Sequence, residues 1–308
     1  MVSYLAGSSP FPNKRMNKQR TLAFFGAHPD DESFGPGSTL AQYALSGVKV
    51  YCICSTGGEA GTVAPEHMKG YATIKELRST ELKCAAQALG LADVIFLGYR
   101  DSGMPGSEDN KHPEALAMAP LEEVTGRIVK IMRQIKPDVV ITHDAGGGYG
   151  HPDHIATHNA VVKAFRAAGD PTQYPEAGPV FQPGKLYFGV RPGGSMKLMI
   201  KLMPLFGQDP HHFGRNRDID LTRRLEVEYP VHAVIHLTKQ AIEIRNKAAA
   251  CHASQGGGRP QGGGQPRINP FRFMQMINRL QGPRDYFMRG YPSPDGRHRE
   301  KDLFQGVN

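Results

Sequence analysis

Two short stretches of the 308-residue chain concentrate imidazoles and carboxylates. The first is Ala27-His28-Pro29-Asp30-Asp31-Glu32. The second runs from His143-Asp144 through Gly146-Gly147-Gly148-Tyr149-Gly150 to His151-Pro152-Asp153-His154. Zinc and similar divalent ions take nitrogen and oxygen ligands, and a catalytic site typically uses three from the protein and leaves one position open. His28 and Asp31, three apart across a proline turn, can face one ion, and His154 closes a His2Asp set from the other stretch. Asp30 between them then points elsewhere. A free carboxylate beside such an ion is placed to take a proton from an attacking water, so Asp30 reads as a general base. Hydrolysis at a carbonyl also needs a partner for the oxyanion and a proton for the departing amine. Tyr149 offers a phenol to the oxyanion. His151 offers an imidazolium near the same point, with Asp153 to orient it and raise its pKa.

Residues 21–27 (TLAFFGA) form a short apolar run that stops at His28-Pro29 and read as a buried strand. Residues 37–46 have helical spacing before Gly47, and residues 48–55 alternate up to Thr56-Gly57-Gly58. Residues 75–89 place Leu77, Leu82, Ala85, Ala86 and Leu89 on one helical stripe closed by Gly90. A strand over 94–97, a helix over 122–135, a strand over 138–142 and a helix over 151–168 continue the alternation. This order predicts an α/β fold, a mostly parallel sheet with helices on both faces. Reactive residues in such a sheet sit just past the carboxyl ends of strands, where both stretches fall.

Beyond Gly169 the pattern loosens into a less regular C-terminal portion, with strands expected over 185–190 and 231–237 and a helix over 238–254. Residues 255–266 hold six glycines in twelve positions and read as a flexible loop. Residues 196–206 (MKLMIKLMPLF) read as a lid or buried helix, with membrane contact as the rival. The organisation expected is a basic leader over 1–20, a catalytic domain over 21–254, the glycine-rich loop, and a basic extension over 267–308 packed on the same domain.

The net charge of +8 belongs to the ends: residues 1–20 carry +4, residues 259–308 carry +5, and residues 21–258 carry −1. A nucleic-acid-binding domain would place its basic stripe on the folded body, so no nucleic-acid partner is expected. With 39% hydrophobic and 21% charged residues the chain is too apolar for disorder. No apolar run approaches the ~18 residues of a membrane span. Residues 1–20 lack the apolar core of a secretory signal. Cys52, Cys54, Cys84 and Cys251 show no CxxC spacing and read as buried, reduced thiols, which together with the missing signal predicts a cytoplasmic protein. A dinucleotide enzyme is disfavoured because no GxGxxG follows the first strand.

His28-Pro29-Asp30-Asp31-Glu32 and Gly150-His151-Pro152-Asp153-His154 resemble the two signature motifs of the LmbE-like superfamily, also called PIG-L after N-acetylglucosaminyl-phosphatidylinositol de-N-acetylase. Its bacterial members include deacetylases of mycothiol and bacillithiol synthesis. The resemblance covers roughly residues 21–160. It implies a Rossmann-like fold, zinc on the residues matching His28, Asp31 and His154, and hydrolysis of an N-acetyl group from an amino sugar, with Asp30 as base. It extends to Glu76-Leu77-Arg78 and to residues 97–104 (LGYRDSGM), where sugar-deacetylating members place an arginine and an aspartate that hold substrate hydroxyls. Arg78 and Asp101 are carried over on that basis. Residues 243–247 with His252 and Gln255 resemble the family's late helix, which approaches the crevice. The expectation is a zinc-dependent de-N-acetylase acting on a small amino sugar conjugate of the N-acetylglucosamine type, assembled as a homo-oligomer. Other divalent ions accept the same ligands. One rival is a thiol-conjugate amidase on the same scaffold. The other is a non-catalytic, metal-stabilised sugar-binding protein, against which Asp30 argues, because a structural site closes with four protein ligands.

Overall fold

The computed structural model describes residues 19–212, 220–222, 227–258, 282–294, 296 and 299–307. Strand β1 (Thr21–Gly26) is buried along its whole length. Successive side chains of a strand point to opposite faces, so Ala23 and Phe25 enter one core cluster while Leu22 and Phe24 enter another. A strand that is apolar on both faces needs a layer on each side, and that requirement puts β1 inside a parallel sheet.

On one side of β1 lie β2 (Lys49–Thr56) and then β3 (Asp93–Tyr99); on the other lie β4 (Val139–Thr142) and β5 (Lys185–Val190), all parallel. β7 (Arg284–Tyr291) runs antiparallel to β5 and pairs in turn with β6 (Ala233–His236), giving the order β3-β2-β1-β4-β5-β7-β6. Helices α2 (Gly37–Leu45), α3 (Ile74–Leu89) and α8 (Lys239–Cys251) cover one face, meeting through Ala41, Ala85, Leu89, Ala241 and Ala248. Helices α4 (Leu121–Ile135) and α6 (Pro152–Ala167) cover the other, with Val124, Ile128, Met132, Val161 and Phe165 against the sheet. α3 starts on a reciprocal cap: the Thr73 hydroxyl accepts from Glu76 N, and the Glu76 carboxylate accepts from Ala72 N. The chain leaves β1 toward β2 and later returns to β4 on the opposite side, so a crevice opens where the carboxyl ends of β1 and β4 diverge. Three short helices lie in connections: α1 (Asp31–Phe34), α5 (Gly147–Gly150) and α7 (Gly193–Leu202).

The C-terminal portion is more regular than the sequence pattern implies. Residues 284–291, within the stretch read as a basic extension, form β7, wedged between β5 and β6. Further on, Glu300 bridges to Ala233, and Leu303 and Phe304 are buried. Residues 196–206 form most of α7 and a following 3-10 turn, with Ile200 and Met203 buried and Leu198 and Leu205 exposed. Among the described residues no helix is long and apolar enough to cross a membrane. Residues 1–18 of the leader and 259–266 of the glycine-rich segment lie outside the described residues.

The expectation of four reduced thiols is corrected at two positions. Cys84 of α3 and Cys251 of α8 form a disulfide across 167 residues, while Cys52 and Cys54 are free and buried. Small residues let α3 and α8 approach closely enough to bring the sulfurs together, and no local spacing reveals that approach.

Candidate active site

At the end of β1 the chain folds back on the Asp31 side chain. Asp31 Oδ2 accepts from the backbone N–H of Ala27 at 2.7 Å and of His28 at 2.9 Å. Gly26 makes the approach feasible, because a Cβ there would sit 3.1 Å from that of Asp31 and 3.0 Å from the Phe24 ring. Asp30, just before α1, has φ 146°, a region that side-chain-bearing residues rarely adopt. The two neighbouring carboxylates diverge: Asp31 Oδ1 faces His154, while Asp30 Oδ2 accepts from Arg78 Nη2 at 3.1 Å. Arg78 also donates to Pro29 O at 3.0 Å and Gly58 O at 2.9 Å. Gly58 has to be glycine for that contact, since a Cβ would fall 2.3 Å from the guanidinium.

Past β4, the left-handed glycines Gly147, Gly148 and Gly150 turn the chain into α6. His151 caps that helix, its Nδ1 accepting from Asp153 N at 3.2 Å, and Pro152 occupies the first helical position. Helix α6 then presents His154 to the crevice, with its Nε2 3.2 Å from His28 Nδ1 and 3.5 Å from Asp31 Oδ1. On its other edge, His28 Nε2 lies 3.1 Å from Asp153 Oδ2 and 3.5 Å from Asp101 Oδ1. Those carboxylates draw the His28 proton to Nε2 and leave the Nδ1 lone pair facing His154. Two nitrogens and a carboxylate oxygen converging this way fit a divalent cation, because tetrahedral ligands at ~2.0–2.1 Å stand about 3.3 Å apart. A second grouping, His28 with Asp101, His151 and Asp153, is also close enough to share an ion. There, however, Asp153 is already committed to Ser102 N at 2.9 Å and to the Ser102 hydroxyl, and Asp101 accepts from Gly103 N. The His28–Asp31–His154 set is the better fit.

Burial pushes the Asp30 carboxyl up to about 6, against the pull of the Arg78 guanidinium. Burial would raise Asp31 too, but His154 and His143 outweigh it and hold this carboxyl well below the usual range. Burial and the neighbouring carboxylates raise the Tyr149 phenol. For His151, burial and then the neighbouring His28 push the imidazole down to about 3.

All nine residues singled out in the sequence meet around this crevice, with two differences in pairing. The Asp153 side chain serves His28 and Ser102 instead of orienting His151. The shift at His151, driven first by burial, runs downward, opposite in direction to the rise expected from Asp153. Helix α6 begins at Pro152, which turns Asp153 toward β1 and leaves His151 as the cap. Arg78 is 3% exposed and gives hydrogen bonds to the Pro29-Asp30 turn, with its Nε unpartnered among the described residues. Sequence reasoning passed over His143, the first residue after β4. Its Nε2 lies 3.3 Å from Asp31 Oδ2 and its ring stacks on His154 at 3.9 Å. Its place at a strand end was the available signal. Ser102, which holds Asp153 from two atoms, had none.

The PIG-L family, described as GlcNAc-PI de-N-acetylase, matches residues 23–165. The chain is 41% identical over 194 residues to 1D-myo-inositol 2-acetamido-2-deoxy-alpha-D-glucopyranoside deacetylase 1 of Catenulispora acidiphila, covering 60% of each chain. It is 36% identical over 257 residues to the 1D-myo-inositol 2-acetamido-2-deoxy-alpha-D-glucopyranoside deacetylase of Geodermatophilus obscurus, covering 78% of this chain and 84% of that one. It therefore spans three fifths of the first relative's length and most of the second's. Among solved structures, N,N'-diacetylchitobiose deacetylase from Pyrococcus horikoshii shares the fold with a TM-score of 0.57 at 19% identity, over 90% of this chain and 88% of that one. With the two stretches joined in one crevice and alignment to a relative over most of its length, the chain belongs to the PIG-L family, also called LmbE-like.

Proposed function

We propose that the protein is a zinc-dependent hydrolase that removes the N-acetyl group from an N-acetylglucosamine-type conjugate. The observation that carries this reading is the divergence of two adjacent carboxylates, with Asp31 turned into the His28–His154 set and Asp30 turned out of it onto Arg78. A purely structural ion has no use for the second carboxylate. The names of the relatives support the substrate class.

His28, Asp31 and His154 would hold the zinc, which when bound would supply Lewis-acid polarisation of water and of the amide carbonyl. Asp30 takes the proton of the attacking water and returns it to the nitrogen as the C–N bond breaks, so acetate and a free amine leave. Arg78 keeps the Asp30 carboxylate in the crevice. His151 accepts a backbone N–H at Nδ1, which leaves its proton on Nε2. That N–H and the Tyr149 hydroxyl are donors for the oxyanion. Asp153, fixed by Ser102, orients His28. Sugar hydroxyls meet Arg78 and Asp101 in the wall of the crevice.

The test is to incubate zinc-loaded protein with 1D-myo-inositol 2-acetamido-2-deoxy-alpha-D-glucopyranoside, with N-acetylglucosaminyl conjugates of other aglycones, and with a thiol-conjugate amide, measuring acetate and primary amine. Equimolar acetate and amine from the N-acetylglucosaminyl conjugates are expected. Cleavage of the thiol conjugate alone would make the protein an amidase of another class, and binding without release would overturn the hydrolytic reading.

A further inference from the structure

We infer that His252, acting through Glu32, is a positioning residue that holds the peptide of Asp30 in its strained conformation and so keeps the carboxylate aimed at the reacting water. The inference rests on the reading of Asp30 as base.

Asp30 is held from two sides. Arg78 of α3 grips its carboxylate and the preceding carbonyl. Glu32 takes its backbone N–H at 3.1 Å. With φ at 146° the Asp30 peptide relaxes unless its neighbours impose the geometry, so the acceptor for that N–H matters as much as the arginine. Glu32 cannot drift, because its Oε1 accepts from the Ser33 hydroxyl and lies 2.7 Å from His252 Nε2. The His252 and Glu32 side chains are fully buried.

His252 has little other reason to be polar. Its Nδ1 finds no partner among the described residues, and an apolar side chain of the same size would fill the site without leaving a ring nitrogen unmet. Among the described residues the one hydrogen-bond partner of its ring is the carboxylate that holds the Asp30 peptide. The neighbouring residue, Cys251, is bonded to Cys84 on α3, the helix that carries Arg78. The two helices behind the two grips on Asp30 are thus joined covalently, closing a ring from Arg78 through Asp30, Glu32, His252, Cys251 and Cys84 back to α3.

The test uses zinc-loaded, full-length protein and the variants His252→Met, which keeps bulk without a donor, and His252→Gln, whose amide nitrogen reaches Glu32 from nearly the same place. His252→Met should lower kcat by about tenfold or more, within the range for supporting residues behind a site, with KM within about twofold and zinc content unchanged. His252→Gln should recover most of that loss even if both variants melt at the same lowered temperature. In an Asp30→Asn background, His252→Met should leave the residual rate unchanged, since a residue that acts through Asp30 has nothing left to position. Amide hydrogen exchange supplies a reading independent of activity: the Asp30 N–H should exchange faster in His252→Met, while those of Ala27 and His28, held by Asp31, should not. If the parent releases no acetate from any conjugate, the hydrolytic reading fails, and exchange still decides whether the grip exists. Parent-like kcat in His252→Met, unchanged Asp30 exchange, or equal loss in the Met and Gln variants would overturn the proposal. Should His252→Met not fold, His252→Ala carries the same readouts.

Discussion

Residues 21–168 and residues 169–307 build one sheet in two different ways. The first region contributes β1 to β4, all parallel, and every side chain placed in the crevice. The second contributes β5, the antiparallel β7 and the edge strand β6, and touches the crevice through the buried His252 and through Tyr229, whose hydroxyl accepts from Gly146 N at 2.8 Å. In the first region the candidate site residues come from the connections that follow strands, His28 to Asp31 after β1, Asp101 after β3 and Tyr149 to His154 after β4, with Arg78 on α3. Support in the second is made by distant pairs: His252 with Glu32, the Asp285 carboxylate accepting from the Thr39 hydroxyl, and Cys251 with Cys84. Substitutions in the first region should therefore change the rate, and most in the second should change stability alone.

The largest effect should follow His154→Ala. It removes one of three converging ligand atoms, so bound metal and activity should disappear together, and chelation of the parent protein should reproduce the loss and be reversed by added zinc. Elemental analysis showing parent-like metal in that variant would break the ligand assignment. Asp30→Asn should rank next. It keeps a polar side chain against Arg78 and leaves the metal set intact, yet removes the base, so kcat should fall by about 10²–10⁴ with zinc retained. A rate within a few-fold of the parent would move the base elsewhere. Asp153→Asn should be milder, about 10–100-fold in metal affinity or rate, because it weakens the hold on His28 without touching a ligand. If instead it left metal affinity alone and changed only kcat, the original pairing of Asp153 with His151 would deserve reinstatement over the one seen here.

The same contrast explains what could be read in the sequence. β1 and β4 stand out because burial on both faces makes a strand a continuous apolar run, β2 stands out by its alternation, and each is followed within two residues by glycines or by His-Pro or His-Asp. The convergence of His28, Asp31 and His154, the place of Asp30 beside them and the crevice were legible on that account. β7 was not. Its residues RDYFMRGY are mostly half-buried, with Phe287 alone in the core, and its two neighbours in the sheet come from 98 and 48 residues earlier, counted from Phe287 to its partner Gly189 of β5 and from Arg284 to His236 of β6. Cys84–Cys251 and Glu32–His252 escaped for the same reason, since spacing along the chain carries no information about which helices pack. The pairing of Asp153 was misread at closer range. A two-residue separation from His151 suggested a partner, but a helix start between them sends the carboxylate to His28.

The smallest expected effect on rate, and the sharpest check on the second region's role, comes from Glu300. Lys185, Tyr187 and Arg289 converge on its carboxylate, with Arg289 Nη1 at 2.7 Å, and Lys185, Tyr187 and Glu300 are all buried. Its backbone is also tied to β6, donating to His232 O and accepting from Val234 N, each at 2.8 Å. The cluster stands at Lys185, the first residue of β5, and so at the end of the sheet opposite the crevice. Glu300→Gln keeps the shape but strips the negative charge from two cations, one of them buried. Breaking a buried pair in this way leaves an uncompensated charge and lowers stability by about 3–5 kcal/mol. Urea unfolding should show that loss, while kcat and KM per folded molecule should stay within twofold of the parent. A tenfold fall in kcat with unchanged stability would mean that the C-terminal residues reach the chemistry by a route other than His252 and Tyr229, and the division between the two regions would have to be redrawn.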